Sequence, residues 1–389
     1  MKIRTGIAAI LVTVVGATGA ACTPPPTGGP SGPCGGPNQV LEPADPSLLS
    51  LPHAISADGQ RLVTSRTVGE DYQLSVRTTA PSDTGSIVMT LPRDLLGGIA
   101  IAESGSELVV HRAGVLERVD ISTGLATTLT PPTPPLPNGA TRQSIFPLNT
   151  SDSSFLSSST AVSRDGERVA WGRRVNYGIP FEGEFTAMVT DAHTGAVLWE
   201  GPGYATLSPS MTAAAHSQSP GSVGGTEDPR VWNFAAGTSS SLAPARTALS
   251  AAGLPVSLQS VLAVSDDGRY VVYRAILSTD NVWDEQLHLW DVLDQSMREV
   301  PLPPGWEVAR HAEVDARGRI QFYRLGFRSS FAYLWDPATD AIGTLAATLY
   351  EGWGGKVAFH TTPDLTRSVT SVQRTTPPLG VEMRLIGCP

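Results

Sequence analysis

One short pattern recurs along this chain of 389 residues and decides what it can fold into. An apolar stretch leads into Ser, one further residue and Asp-Gly, and a second apolar stretch follows. It stands clearly at residues 53–63 (HAISADGQRLV), 160–171 (TAVSRDGERVAW) and 262–273 (LAVSDDGRYVVY). Looser copies lie at 99–110 and 312–323, and degenerate ones at 205–215 and 359–369. The residues at the Asp position are Asp58, Ser104, Asp165, Ser210, Asp267, Arg317 and Asp364, with gaps of 46, 61, 45, 57, 50 and 47. A period near fifty marks a repeat architecture in which stacked units share one continuous core.

The chemistry of the repeat is that of a tight hairpin. Gly supplies positive φ without steric cost, and Asp and Ser side chains bond nearby backbone N–H groups. The flanks are β-branched or aromatic, as strands prefer. A second element follows, as in 117–124 (ERVDISTG), 187–195 (AMVTDAHTG), 288–295 (HLWDVLDQ) and 333–340 (YLWDPATD). Each is a strand ending in Asp, a polar turn and a further short strand. The unit therefore reads as a four-stranded antiparallel blade, and seven units predict an all-β chain forming a single seven-bladed β-propeller. The fourth copy has lost its Asp-Gly, which leaves a six-bladed ring with one irregular insertion as the alternative. A charged fraction of 16% with 39 Gly and 32 Pro suits many short strands and turns.

The Ser-x-Asp-Gly hairpins resemble the WD-like repeats of TolB-type bacterial propellers. Leu289-Trp290-Asp291 and Leu334-Trp335-Asp336 are similar to the dipeptide of WD-repeat proteins. The resemblance covers residues 40–387 and implies architecture far more than activity. Sialidase-type Asp boxes separate the Asp from the Gly; here the two are adjacent, so sialidase activity is not carried over.

The first residues read as an export leader. Lys2 and Arg4 precede an apolar run at 7–15, small residues at 16–21, and Cys22. The run is shorter than the ~20 residues of a spanning helix. Gly19-Ala20-Ala21-Cys22 resembles a bacterial lipobox, which implies a lipid on Cys22; cleavage at an Ala-x-Ala-like site, leaving a soluble secreted protein, is the other reading. The expected organisation is a lipoprotein-type signal peptide at 1–21, a Pro/Gly-rich tether at 22–37 and the propeller at 38–389. Membrane attachment is by lipid only, outside the cell membrane or within the envelope.

Blade seven supplies only three strands before the chain ends, so residues 39–42 are free to add its outer strand. That arrangement brings Cys34 and Cys388 to adjacent strand ends, and an oxidising compartment favours a disulfide between them. The formal charge of −9 becomes more negative by two without Lys2 and Arg4, and Lys356 is then the sole lysine. Nucleic acid, which needs a basic footprint, is not an expected partner.

The Asp-type turns share one face and are short. The other face carries long connections, at 131–158, 174–184, 217–229 and 276–285, and variable loops on a rigid scaffold are where recognition concentrates. Aromatic and charged residues there form the candidate binding set: Arg174, Tyr177, Phe181, Glu182, Trp283, Asp284, Trp306, Phe327, Arg328 and Trp353. Any one of these rings could equally cap a blade.

Catalytic signatures are sparse. His53, His311 and His360 enter the first strands of neighbouring blades, yet alternation turns His53 away from the other two, so no metal site is expected. Glu182, Glu184, Asp284 and Glu285 could furnish an acid pair, but their spacing does not bring two together. No Gly-x-Ser-x-Gly elbow, P-loop or dinucleotide fingerprint occurs, and no catalytic residue or cofactor is expected. The leading expectation is a non-catalytic, monomeric module holding a protein, peptide or glycan on the long-loop face. A propeller hydrolase or lyase acting on polysaccharide and a TolB-like envelope assembly component are the alternatives.

Overall fold

Each Ser-x-Asp-Gly repeat folds as the hairpin joining the first and second strands of a sheet. In the first, Gly59 N donates to Ser56 O at 2.8 Å, with Gly59 at φ +68. Asp58 accepts from the Ser56 hydroxyl at 2.5 Å and from Gln60 N at 3.0 Å, and the Ser56 bond lowers the Asp58 carboxyl below its ordinary range. The same bond joins Ser163 to Asp165, Ser265 to Asp267 and Thr362 to Asp364.

The computed structural model describes residues 38–387, apart from 46–49, 82, 93–95, 149–160, 179–182, 217–227, 255–258, 280–281, 303–308, 326–329, 348–358 and 375–379. Its strands group into seven four-stranded antiparallel sheets. Six take four successive strands; blade one, for example, runs Ser50–Ile55, Arg61–Val68, Asp71–Thr78 and Ser86–Pro92. Blade seven takes Phe359–Thr361, Arg367–Arg374 and Gly380–Gly387 from the end of the chain and Asn38–Asp45 from its beginning. Asn38 pairs with Ile386 and Val40 with Arg384, so the borrowed outer strand is as expected. Cys22, Cys34 and Cys388 lie outside the described residues.

First strands of adjacent blades touch at the joints of blades seven and one, one and two, four and five, and five and six. Seven apolar clusters each sit between two neighbouring blades. Leu41, Met383 and Val369 of blade seven meet Ile55 and Leu62 of blade one. Leu262, Val272 and Leu289 of blade five meet Ile320, Phe322 and Trp335 of blade six. The strand tryptophans Trp171, Trp290 and Trp335 belong to these interfaces, as packing between blades requires. Seven blades, rather than six, are therefore present.

Two features depart from expectation. Helix Ala243–Ala251 follows blade four and buries Ala245 and Leu249 against blade five. Its alanines favour helix, and Pro244 is tolerated in the first turn, where its missing N–H costs nothing. The segment 131–158 is not wholly a loop. Arg142–Pro147 forms the long-loop half of blade three's inner strand and pairs along the second strand from Asn176 to Trp171. The turn half is the single bridge Val162–Val169.

Candidate functional site

The short-turn face is tied together. An arginine closing a turn reaches a backbone carbonyl of the next blade's turn four times: Arg61 to Gly105, Arg168 to Ser210 at 3.1 Å, Arg319 to Asp364, and Arg367 to Gly59 at 3.0 Å. One contact crosses the ring. Arg164, in the turn of blade three, forms an ion pair with Glu313 on the inner strand of blade six and donates to Thr362 O of blade seven at 3.1 Å. Thr361 completes Glu313 with a hydroxyl bond of 2.6 Å. Blade three is not a ring neighbour of blade six or seven, so this latch spans the axis at the short-turn end. Burial raises the Asp165 carboxyl beside it, although its counterpart Asp58 is lowered.

The long-loop end is uneven. Second and third strands are nine residues long in blade three and ten in blade five. Between them, blade four's are four residues each. Among the described residues, the blade-three strands thus extend further than those of blade four. Ala170 and Ala187 pack against Leu207 and Ala214 of blade four. By alternation Gly172 and Arg174 point to that same side. Register places Phe146 opposite Gly172, Arg174 between Ser144 and Phe185, and Arg142 opposite Asn176. Arg142 and Arg174 are thus diagonal neighbours on one sheet face, about 7–8 Å apart at Cα.

Beneath them lies an aromatic surface. Phe146 and Phe185 are nearly parallel, at 6.2 Å and 4°, and Tyr204 meets Phe185 edge-on at 5.8 Å. Gly172 makes this possible, since a Cβ there would stand 2.6 Å from the Phe146 ring and 3.1 Å from that of Phe185. Tyr204 is 67% exposed, and both arginines are exposed. Two cations beside flat apolar rings can clasp an anion attached to a flat apolar body.

Of the sequence-predicted set, Arg174 belongs to this surface. Tyr177 does not join it: its hydroxyl donates to Glu184 at 2.9 Å, a bond that raises the phenol's pKa. Glu184 pairs in register with Val175, on the opposite sheet side from Arg174. Trp283 and Asp284 lie on blade five's third strand, opposite Ser278 and Leu277. Phe181, Glu182, Trp306, Phe327, Arg328 and Trp353 lie outside the described residues. Glu285 is buried against Arg274 at 2.5 Å, so it and Glu184 are each engaged within their own blade. His53 bonds Ser65 at 2.7 Å. Among the described residues no three His, Cys, Asp or Glu side chains come together as a metal would need.

No protein-family model matches the chain, and no curated protein matches it. Solved structures do. An oligogalacturonate lyase in complex with manganese is 12% identical over 92% of this chain and 94% of its own, with a TM-score of 0.57. Oligogalacturonate lyase from Vibrio parahaemolyticus is 10% identical over 90% and 93%, with a TM-score of 0.56. An acylaminoacyl peptidase of Pyrococcus horikoshii is 11% identical over 87% of this chain but 51% of its own, with a TM-score of 0.51. The expectation of a chain without catalytic activity is corrected: these three solved structures are enzymes, so the fold gives no ground for setting catalysis aside. At such identities the likeness shows the fold, and this chain is a seven-bladed β-propeller closed by its own first strand.

Proposed function

We propose that the chain is a propeller enzyme that cleaves an acidic oligosaccharide held at the long-loop end of blade three, on the side facing blade four. The observation that carries this reading is the placement of Arg142 and Arg174 beside the Phe146–Phe185–Tyr204 rings. Flat apolar rings suit the C–H face of a sugar, and guanidinium forks suit its carboxylate. The two oligogalacturonate lyases support it, because both match over nearly their whole length, whereas this chain spans about half of the peptidase. Lyase cleavage of a uronate takes the proton next to the carboxylate onto a base, expels the glycosidic oxygen from the adjoining carbon and leaves a double bond between the two carbons. A cation paired with that carboxylate stabilises the charge that develops. The manganese of one lyase finds no matching donor set among the described residues, so no step is routed through a metal here.

The leader, a lipid on Cys22 and the tether belong to the same proposal: an exported enzyme held outside the membrane. The test is incubation of the full chain with oligogalacturonate, following the ultraviolet absorbance of the conjugated double bond that elimination creates. Arg174→Ala is expected to lower kcat/KM by roughly tenfold or more, the worth of a charged hydrogen bond. Substrate recovered intact from the wild-type reaction would refute it.

A further inference from the structure

Between the outer part of blade two and blade three lies a cleft of about 220 Å³. Arg118, Thr128, Thr130, Trp171, Thr190 and His193 are among the residues that line it. It lies on the side of blade three opposite to the Arg142–Arg174 surface.

Arg118 is the guanidinium of this cleft. Arg118 Nη1 stands 2.7 Å from His193 Nδ1. A guanidinium has donors only, so Nδ1 is the bare, accepting nitrogen and Nε2 carries the hydrogen. That hydrogen goes to Glu167 Oε2 at 3.0 Å, and Glu167 Oε1 accepts from Glu103 N at 2.9 Å. Glu107 lies 3.8 Å from Nδ1. Asp191, also in the lining, is taken up by its own turn, accepting from His193 N, Thr194 N and the Thr194 hydroxyl. Glu167 and Asp191 are thus engaged by the imidazole and the backbone, while Arg118 meets the ring nitrogen that carries no hydrogen. Its Nε is buried without a hydrogen-bond partner. Arg77, Arg112, Arg173, Arg269 and Arg319 each meet a carboxylate; among the described residues, Arg118 does not.

We propose that this cleft is a second ligand site, which takes a small carboxylate anchored on Arg118. A carboxylate would replace the neutral acceptor with two charged oxygens in the geometry of the guanidinium fork. The threonine hydroxyls of the lining can serve hydroxyl groups next to that carboxylate. The volume is below the ~300–1,000 Å³ of drug-sized pockets, so the fit is to one sugar acid or hydroxy acid rather than to a polymer. This site does not depend on the oligosaccharide reading of blade three.

The test is calorimetric titration of the full chain with acetate, D-galacturonate and D-galactose. Both acids are expected to bind and galactose not. Arg118→Ala should weaken acetate and galacturonate at least tenfold, and Arg298→Ala, on the outer strand of blade five, should leave acetate binding unchanged. If Arg118→Ala does not fold, Arg118→Gln, which keeps donors and loses the charge, should show the same weakening. The proposal is overturned if neither acid binds, if galactose binds as well as galacturonate, or if Arg118→Gln binds the acids like the wild type. Loss of galacturonate binding in Arg174→Ala alone, with Arg118 variants unaffected, would place the acid on blade three and also overturn it.

Discussion

Arg77 of blade one and Glu42 of the borrowed outer strand of blade seven meet at 2.6 Å across the seam where the ring closes. Arg77 is buried, and it also donates to Ala80 O at 3.2 Å. The last joint of the ring is thus held by a charge pair as well as by the apolar cluster around Leu41 and Ile55. Arg77→Ala strands the Glu42 carboxylate and opens a gap. A cost of roughly 2–3 kcal/mol is expected, below the full value for a buried pair because Glu42 is partly solvated. Urea denaturation checks it, as a lower midpoint with an unchanged slope.

The Arg164–Glu313 latch makes a different prediction. It joins blades that share no interface, so its loss should loosen the short-turn end of the axis while blade interfaces stay intact. In Glu313→Gln, amide hydrogen exchange is expected to quicken at residues 361–367 and 163–168 and to stay unchanged at the seam around residues 38–42. Uniform quickening across all seven blades would show that the latch is not local.

Asp83 carries an acid signature. Its carboxylate accepts from Thr78 N at 2.7 Å, the Thr78 hydroxyl at 2.7 Å and Gly85 N at 2.8 Å, and these bonds lower its pKa from 3.8 to about 2, the Thr78 backbone bond most. The fold binds the ionised form, so the stabilisation is complete above the ordinary value and disappears as pH falls towards about 2. The wild type should melt above Asp83→Asn at pH 6, and the difference should shrink between pH 4 and pH 2. A constant difference over that range would contradict the assignment.

A Cys34–Cys388 bond is expected from the sequence, and the described strands on either side fit it, since Asn38 pairs with Ile386 and Gly387 ends the neighbouring strand. Closing so long a loop is worth about 4–5 kcal/mol on the chain-entropy model, less any strain. Mass spectrometry after alkylation without reductant should find both cysteines unmodified. Two alkylated thiols would remove the bond from the account.

The blade plan was legible because its signal is local chemistry repeated seven times. Ser56-Ala57-Asp58-Gly59 announces a hairpin whatever surrounds it, and the shortage of strands after residue 356 pointed to residues 39–42. The candidate site was much less so. Arg174 was visible as a charged residue on a long connection. Phe146 and Arg142 were hidden, because residues 131–158 open with a proline-rich stretch that reads as loop. The available signal was the segment Arg142-Gln143-Ser144-Ile145-Phe146, short and ending at Pro147. Tyr204 and Phe185 come together only through blade three's register, and Gly172 matters only for the rings that cross it. The Arg164 latch has no sequence signal at all, because it depends on which blades face each other across the axis.

The central claim is that Arg142 and Arg174 hold the carboxylates of an acidic oligosaccharide over blade three's aromatic surface. Titration of trigalacturonate into the wild type and into Arg142→Ala/Arg174→Ala tests it most directly. The account predicts saturable binding by the wild type and a loss of about a hundredfold or more in the double variant, from two charged hydrogen-bonding groups. Equal affinity in the two proteins, with the variant fully folded, would contradict it.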